Sequence, residues 1–476
     1  MLATDDRITF GRSVIYTDVE EIDRNNVAEV IDEALETHEK NRSDIQYLYD
    51  VYRGKMDILQ REKTYNTEIT NKTVVNYPFR IVSFKTGYEF GKPIQYTFRD
   101  GREHTESSIE EIILFNDYME QCGKHTEDIS LWEWICIAGI GYRFTMTDDE
   151  VTDPADSPMY ITVPDPRFTF VVYDRSMRRR QKLCCTFSEN SEGDATYYVY
   201  TDNAYYVIVD GEVVEEAPYY GVVQPIVEYK FNNAYLGAFE VVLSLVNATC
   251  RIASNRVDGV EQFIQALMMF KGVNIESGDY KALREEGAIV VPPDGDIKYL
   301  ISELNQEQTQ TLLDSIYDEM MEIVGLPRRR KGGGLGDANG ISVVYQDGWE
   351  EAESHAQGDE TMFKKSEQRF LKLACNICNE TRGTNLRAED IQTNFTRRNY
   401  ENLINKADAF ATLIGTEWVD PRLLFEQFGM FPDPELAYKL SKRYHDSLIE
   451  EEVRSLTIED ESDAAEDRRT EQAESV

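Results

Sequence analysis

The densest cationic run in this 476-residue sequence lies well past its middle and is followed directly by glycines. Its members are Arg328, Arg329, Arg330, Lys331, Gly332, Gly333 and Gly334. Guanidinium and ammonium groups bind phosphate oxygens without reading base sequence, so this run could contact a nucleic-acid backbone. The alternative interpretation is a solvated loop, or a charge partner for the C-terminus of the preceding helix.

The other candidate groups favour structural roles. Cys375 and Cys378 have the spacing of a metal-binding pair, but no second Cys pair accompanies them, so we interpret them as core residues on one helix face. The segment Gly87–Lys92 has three residues between its glycines and is followed by Pro93, whereas a phosphate-binding loop needs four and then a Ser or Thr. It therefore predicts a helix end before a strand.

No catalytic residue, metal ligand or cofactor is predicted. The five histidines stand apart from any Ser or Cys nucleophile motif, and the acidic runs lack the order of a calcium-binding loop. The sequence favours a protein that is not an enzyme.

Composition narrows the class of protein. The 50 Lys and Arg against 88 Asp and Glu give a net charge of −38, which excludes a free-standing tight duplex binder because such affinity comes from cations. The 41% hydrophobic content excludes global disorder. Asp5 and Asp6 stand where a secretory signal would be basic or apolar, and no apolar run approaches about 18 residues. We expect a protein made in a cytosol, with reduced thiols and no membrane contact.

Hydrophobic periodicity predicts an α+β fold that is predominantly helical. Helical patterns occupy Val19–Lys40, Asn76–Phe90, Thr105–Gln121 and Glu127–Ala138. Short alternating runs then predict an antiparallel β region packed beside these helices: Tyr142–Thr147, Tyr160–Val163, Phe168–Tyr173, Leu183–Phe187, Thr196–Tyr200, Tyr205–Val209 and Val222–Lys230. Cys184 and Cys185 lie in one of these runs, where adjacent residues face opposite sides, so we interpret both as structural.

The second half of the sequence predicts two rods with a small β tip between them. Gly237–Phe270 has no proline and would form a helix about 50 Å long. A strand at Ala288–Val291 and a second helix at Asn305–Val324 follow. After the glycine-rich loop come a long helix at Ile341–Arg382, a strand at Ile391–Phe395, further helices and an acidic tail.

Three motifs occur in order in the first quarter of the chain. They read Tyr49-Asp-Val-Tyr-Arg-Gly-Lys-Met-Asp-Ile-Leu, Asn71-Lys-Thr-Val-Val-Asn-Tyr and Thr86-Gly-Tyr-Glu-Phe-Gly-Lys-Pro93. Together with the order of rod, tip and rod, they resemble the portal proteins of tailed bacteriophages, in the branch typified by the SPP1 portal. The resemblance covers nearly the whole chain, loosely in the C-terminal helices and not in the acidic tail.

The resemblance implies a portal fold with wing, stem, clip, tunnel loop and crown. The implied divisions are 1–236 for the N-terminal part of the wing, 237–270 and 305–326 for the stem helices, 271–304 for a small α/β clip, 327–340 for the tunnel loop, 341–400 for the long helix and strand of the wing, 401–448 for the helical crown and 449–476 for an acidic, disordered tail.

The resemblance also implies a function. It implies a homo-oligomeric ring of usually twelve subunits at one capsid vertex, through which double-stranded DNA is packaged and ejected. The implied partners are the terminase large subunit, scaffolding and major capsid proteins and a head–tail adaptor, in the virion and, during assembly, in the host cytoplasm. An acidic channel wall would let DNA slide by repulsion, and the loop Arg328–Gly334 would touch it at one level. The alternatives are another ring-forming connector and, less favoured, a DNA-packaging enzyme.

Overall fold

The computed structural model describes residues 9–64, 67–99, 106–191, 193–264, 267–271, 296–300, 306–327, 348–397, 403–416, 418–428, 431 and 437–449. The predicted cationic loop, the strand predicted at Ala288–Val291 and the acidic tail beyond Ile449 lie outside these residues. The described part is a mixed α+β structure, as predicted.

The helices and strands follow in this order. The helices are α1 (Val27–Tyr52), α2 (Tyr77–Glu89), α3 (Glu106–Gln121), α4 (Lys124–Ala138), α5 (Leu243–Ile264), α6 (Gln306–Ile323), α7 (Trp349–Arg382), α8 (Leu403–Ile414), α9 (Pro421–Phe428) and α10 over 437–449. The strands are β1 (Ile15–Thr17), β2 (Gln95–Phe98), β3 (Ile140–Thr147), β4 (Met159–Thr162), β5 (Thr169–Asp174), β6 (Gln181–Glu189), β7 (Ala195–Tyr200), β8 (Ala204–Val209), β9 (Glu212–Pro218), β10 (Ile226–Lys230), β11 (Leu267–Lys271), β12 (Asp296–Leu300) and β13 (Ile391–Asn394).

A six-stranded sheet with the order β1-β5-β6-β7-β8-β9 separates two cores. Its strands pair antiparallel except that β1 runs parallel to β5. Because neighbouring residues of a strand face opposite sides, Cys185 packs with α1 on one face, and Cys184 packs with β3 and β10 on the other. The two adjacent cysteines are therefore core residues of opposite faces, as predicted.

The largest core lies where α4 and the three-stranded sheet β10-β3-β4 meet the long helix α7. Trp132 of α4 is buried there, with its ring centroid 5.0 Å from that of Phe90. Cys375 and Cys378 of α7 are buried in the same core, which confirms their predicted packing role. Burial raises the pKa of the Cys378 thiol to about 12.

Several predicted boundaries are wrong for identifiable reasons. The first helix begins at Val27, not Val19, because Asp23 and Asn26 form a hydrogen-bonded turn before it, and it continues to Tyr52. Strand β9 was not predicted, because five of its seven residues are exposed and its three Glu residues do not alternate regularly with apolar ones.

The rod predicted over Gly237–Phe270 is also shorter than expected. Its helix α5 spans 22 residues, or about 33 Å, and ends before β11, which pairs antiparallel with β12. A Cβ at Gly237 would lie 2.5 Å from the carbonyl oxygen of Ile137, so this residue is in close contact with the end of α4 and does not begin the helix.

Candidate functional site: a clamp on the paired helices

Helices α5 and α6 form an antiparallel pair whose ends are joined through the β11–β12 strand pair. At one end of the pair, Val246 and Cys250 of α5 and Met320 and Met321 of α6 belong to the largest core. Further out, Arg256 donates to the side-chain oxygen of Gln310 at 2.7 Å. The pair therefore has an apolar base, and a side-chain hydrogen bond joins its two helices further out.

The second sequence motif runs along α5 as an extended segment. The backbone N–H groups of Asn71, Thr73 and Val75 donate to the side chains of Asp258 (2.8 Å), Ser254 (2.9 Å) and Cys250 (3.3 Å), respectively. Two residues of extended chain advance about 6.6 Å and four residues of helix about 6.0 Å, so every second N–H meets the next turn. We name these three hydrogen bonds the clamp.

The outer end of the clamp is a carboxylate shared by two cations. Asp258 contacts Lys63 and lies 3.1 Å from Arg61, with 4% of its side chain exposed. Burial raises the pKa of Asp258, but hydrogen bonds from Lys63 and Asn71 and the charge of Arg61 outweigh burial and hold this pKa below its usual value. The carboxylate is therefore ionised, and it fixes Arg61, Lys63 and Asn71 on α5.

The other two motifs attach to the clamp and to α7. Asn76 accepts from the backbone N–H of Phe79, which caps α2, and its side chain donates to the carbonyl of Tyr52 in the first motif. The third motif ends α2 at Glu89 before β2, as predicted, and its Tyr88 hydroxyl donates to Glu353 of α7 at 2.7 Å. The three motifs thus connect the first quarter of the chain to helices α5 and α7.

A buried ionic cluster, which sequence reasoning missed, fixes α7 against the sheet. Lys124 and Arg143 contact the carboxylates of Asp128 and Glu367, and all four side chains are at most 3% exposed. The hydroxyl of Tyr229 donates to Glu367 at 2.6 Å. The only signal in the sequence was a charged residue on an apolar face, such as Glu367 between Phe363 and Phe370.

The cluster holds Glu367 in its ionised form. Burial raises the pKa of Glu367, but the charges of Arg143 and Lys124 outweigh it and lower this pKa to about 2. The cluster contains two cations and two carboxylates, so its net charge is zero. Buried charges are costly unless they are paired in this way.

The structure describes both anchors of the predicted cationic loop, although Arg328–Gly334 themselves lie outside the described residues. After α6, Gly325 adopts the left-handed conformation at φ 67°, and a Cβ there would lie 2.4 Å from the ring of His355 in α7. At the other anchor, Gly348 is left-handed and precedes α7. Both anchors of the loop therefore lie next to the first turns of α7, the helix that follows it.

No group of three or more His, Cys, Asp or Glu side chains among the described residues is arranged to hold a metal ion. None of the helices they form is long and apolar enough to cross a membrane. The arrangement is suited to holding long helices in fixed positions.

Comparison with known proteins identifies the family. Residues 31–466 match the model of phage portal proteins, SPP1 Gp6-like. The chain therefore belongs to the phage portal protein family. Portal proteins are structural components of the bacteriophage virion that serve genome packaging and head–tail connection. A search of curated proteins found no match.

Proposed function

We propose that this chain forms a ring, of about twelve subunits, at one capsid vertex, with an axial channel for packaging and ejecting double-stranded DNA. Family membership over nearly the whole chain is the observation that carries the proposal. The outer face of the ring docks the terminase large subunit and later a head–tail adaptor, and the ring assembles with scaffolding and major capsid proteins in the host cytoplasm.

We propose the same order of portal regions as the sequence predicts, with the clip beginning at Leu267 instead of residue 271. Helices α5 and α6 are the stem, β11 and β12 begin and end the clip, and 401–448 form the crown. The clamp supports this assignment, because a stem that bears load during DNA transport must be fixed to the wing along its length. The second motif provides that fixation on α5.

Electron microscopy of the purified protein tests the ring. We expect closed rings whose axial channel admits a duplex about 20 Å across. A compact monomer or dimer at high protein concentration would overturn the proposal. Assays for ATP turnover and metal-dependent DNA cleavage address the enzyme alternative, and activity in either would favour it.

The role of the cationic loop is tested separately. We propose that Arg328, Arg329, Arg330 and Lys331 contact the DNA backbone while Gly332, Gly333 and Gly334 let the loop follow it. Replacing the four cations by Gln should change packaging or DNA retention and leave ring assembly intact. A matched control replaces four exposed cations elsewhere, Lys40, Lys92, Arg387 and Arg443, and should change neither. Loss of ring assembly in the loop variant would contradict the proposed role.

A further inference from the structure

One end of the six-stranded sheet carries a surface that the portal function does not explain. The turn between β5 and β6 and the connection between β9 and β10 meet there, because Gln224 donates to the carbonyl of Lys182 at 3.0 Å and Gln181 donates to Gln224 at 2.6 Å. We name this surface the sheet-end patch. Its residues are Met177, Arg178, Arg179, Arg180, Tyr220 and Val222.

Both parts of the patch are held in defined conformations. The carboxylate of Asp174 accepts hydrogen bonds from the backbone N–H and the hydroxyl of Ser176 and from the backbone N–H of Arg180. Arg179 has a φ of 48°, a left-handed conformation that costs energy in a residue other than glycine. The hydroxyl of Tyr219 donates to the carbonyl of Val223 at 2.7 Å and closes the second loop.

The patch exposes apolar side chains together with unpaired cations. Met177 is fully exposed, Tyr220 is 85% exposed and Val222 is 63% exposed. Among the described residues, no carboxylate forms an ion pair with Arg178, Arg179 or Arg180. The adjacent Arg175, by contrast, lies 2.8 Å from Asp18.

Cations from two further elements extend the positive charge around Arg179. Lys230 of β10 lies 5.0 Å from the ring centroid of Tyr235. Burial and the charges of Lys365 and Arg179 lower the pKa of Lys230, and the charge of Glu228 opposes them. Lys365 belongs to α7 and is exposed, so cations of three separate elements lie on this side of the molecule, where an acidic partner surface could pair with them.

The composition of the patch favours a protein partner over a nucleic acid. Phosphate contacts need cations but no exposed Met, Tyr or Val, whereas Tyr, Met and Arg are enriched in protein interfaces. The partner must also be acidic, and the chain itself has 88 acidic residues against 50 basic ones. The outward face of α1 is an example, with Glu29, Asp32, Glu33, Glu36 and Glu39 all exposed.

We propose that the sheet-end patch docks on an acidic surface of a second copy of this chain. The proposal rests on the proposed ring, in which each subunit presents one face to its neighbour and receives a different one. Two chains with a net charge of −38 repel each other, so a ring of them needs local pairing of opposite charges at each interface. The patch supplies the cations for that pairing, and its apolar residues supply the contact that excludes water.

The test compares two triple charge reversals in the full chain. The patch variant is Arg178→Glu with Arg179→Glu and Arg180→Glu; the control is Lys40→Glu with Lys92→Glu and Arg387→Glu, at exposed sites outside the patch. Both lower the net charge by the same amount. Sedimentation and electron microscopy should find rings for the native chain and the control, and an at least tenfold higher protein concentration for ring assembly of the patch variant.

The outcomes separate this proposal from the ring itself. Rings in all three proteins overturn the patch alone, whereas a native chain that forms no ring overturns both. Binding of a 20-base-pair duplex that is lost in the patch variant while rings persist would overturn it in favour of nucleic acid. Circular dichroism checks folding, and if the Glu variant unfolds, the corresponding Gln substitutions are used, for which weakened assembly is again required.

Discussion

Two groups of cations in this molecule have opposite surroundings. Lys124 and Arg143 are at most 3% exposed, and each contacts two carboxylates. Arg178, Arg179 and Arg180 are exposed, and among the described residues none forms an ion pair. Both groups belong to a chain with far more carboxylates than cations, so pairing within the chain is readily available.

The difference indicates two uses of charge. The buried cations form their ion pairs when the chain folds. The free energy of these ion pairs therefore contributes to the stability of the single subunit. The exposed group lacks that pairing in the single subunit, so under the proposed docking its interaction free energy would become available on assembly. Substitutions should therefore affect unfolding in the first group and association in the second.

The largest effect is expected for Arg143→Met. It leaves Asp128 and Glu367 buried with Lys124 as their remaining cation, which should lower the free energy of unfolding by about 3–5 kcal/mol in urea denaturation. Lys55→Met is the control, because the Lys55 side chain is 73% exposed and its ion pair with Asp50 should be worth at most about 1 kcal/mol. Equal losses in the two variants would contradict the distinction.

The second effect depends on pH. The pKa of Glu367 lies at about 2, below its usual 4.5, so its stabilising contribution is complete above pH 4.5 and is lost as the pH falls toward 2. The difference in unfolding free energy between the native chain and Glu367→Gln should therefore shrink across that range. Glu133→Gln is a control of opposite sign, because burial raises the pKa of Glu133 and its charge costs stability at neutral pH.

A smaller effect is expected in the clamp. Ser254→Ala removes the acceptor for the backbone N–H of Thr73 and should cost about 1–3 kcal/mol, because that donor is left without a partner. Hydrogen exchange of the amides of residues 71–75 should accelerate more than that of α1. Uniform acceleration would indicate global destabilisation instead of release of the clamp.

The smallest effect on stability is expected in the sheet-end patch. Replacing Arg178 and Arg180 by Ser should change the free energy of unfolding of the unassembled subunit by less than about 0.5 kcal/mol, because both side chains are exposed. Thermal unfolding of dilute protein measures it. A loss of 2 kcal/mol or more would place the patch with the buried cluster as part of the fold.

The sequence predicted those elements whose pattern is local. Helix α2 and strands β5 to β8 lie close to their predicted positions, because their buried residues recur with periods that a short window shows. The end of α5 could not be predicted in this way. Leu267–Lys271 is compatible with a helix, and it becomes a strand because Asp296–Leu300, distant in sequence, pairs with it.

The candidate site was predicted less completely. The motif Asn71–Tyr77 marked the clamp, but its partners Asp258, Ser254 and Cys250 are some 180 residues away, and no local pattern connects them. The buried cluster joins α4, β3 and α7, which again only folding brings together. The contact of Arg328–Gly334 with DNA remains a prediction.

The spacing of the clamp also restricts where α5 can lie along its own axis. Two residues of the extended segment and four residues of α5 differ in length by about 0.6 Å, so the partners of a fourth hydrogen bond would be displaced by nearly 2 Å. The match is therefore good only near Asp258, Ser254 and Cys250, and sliding α5 by one residue would rotate all three acceptors about 100° away from the segment. These three hydrogen bonds therefore set the axial position of α5. The position of α5 in turn sets how far from the largest core the β11–β12 strand pair lies.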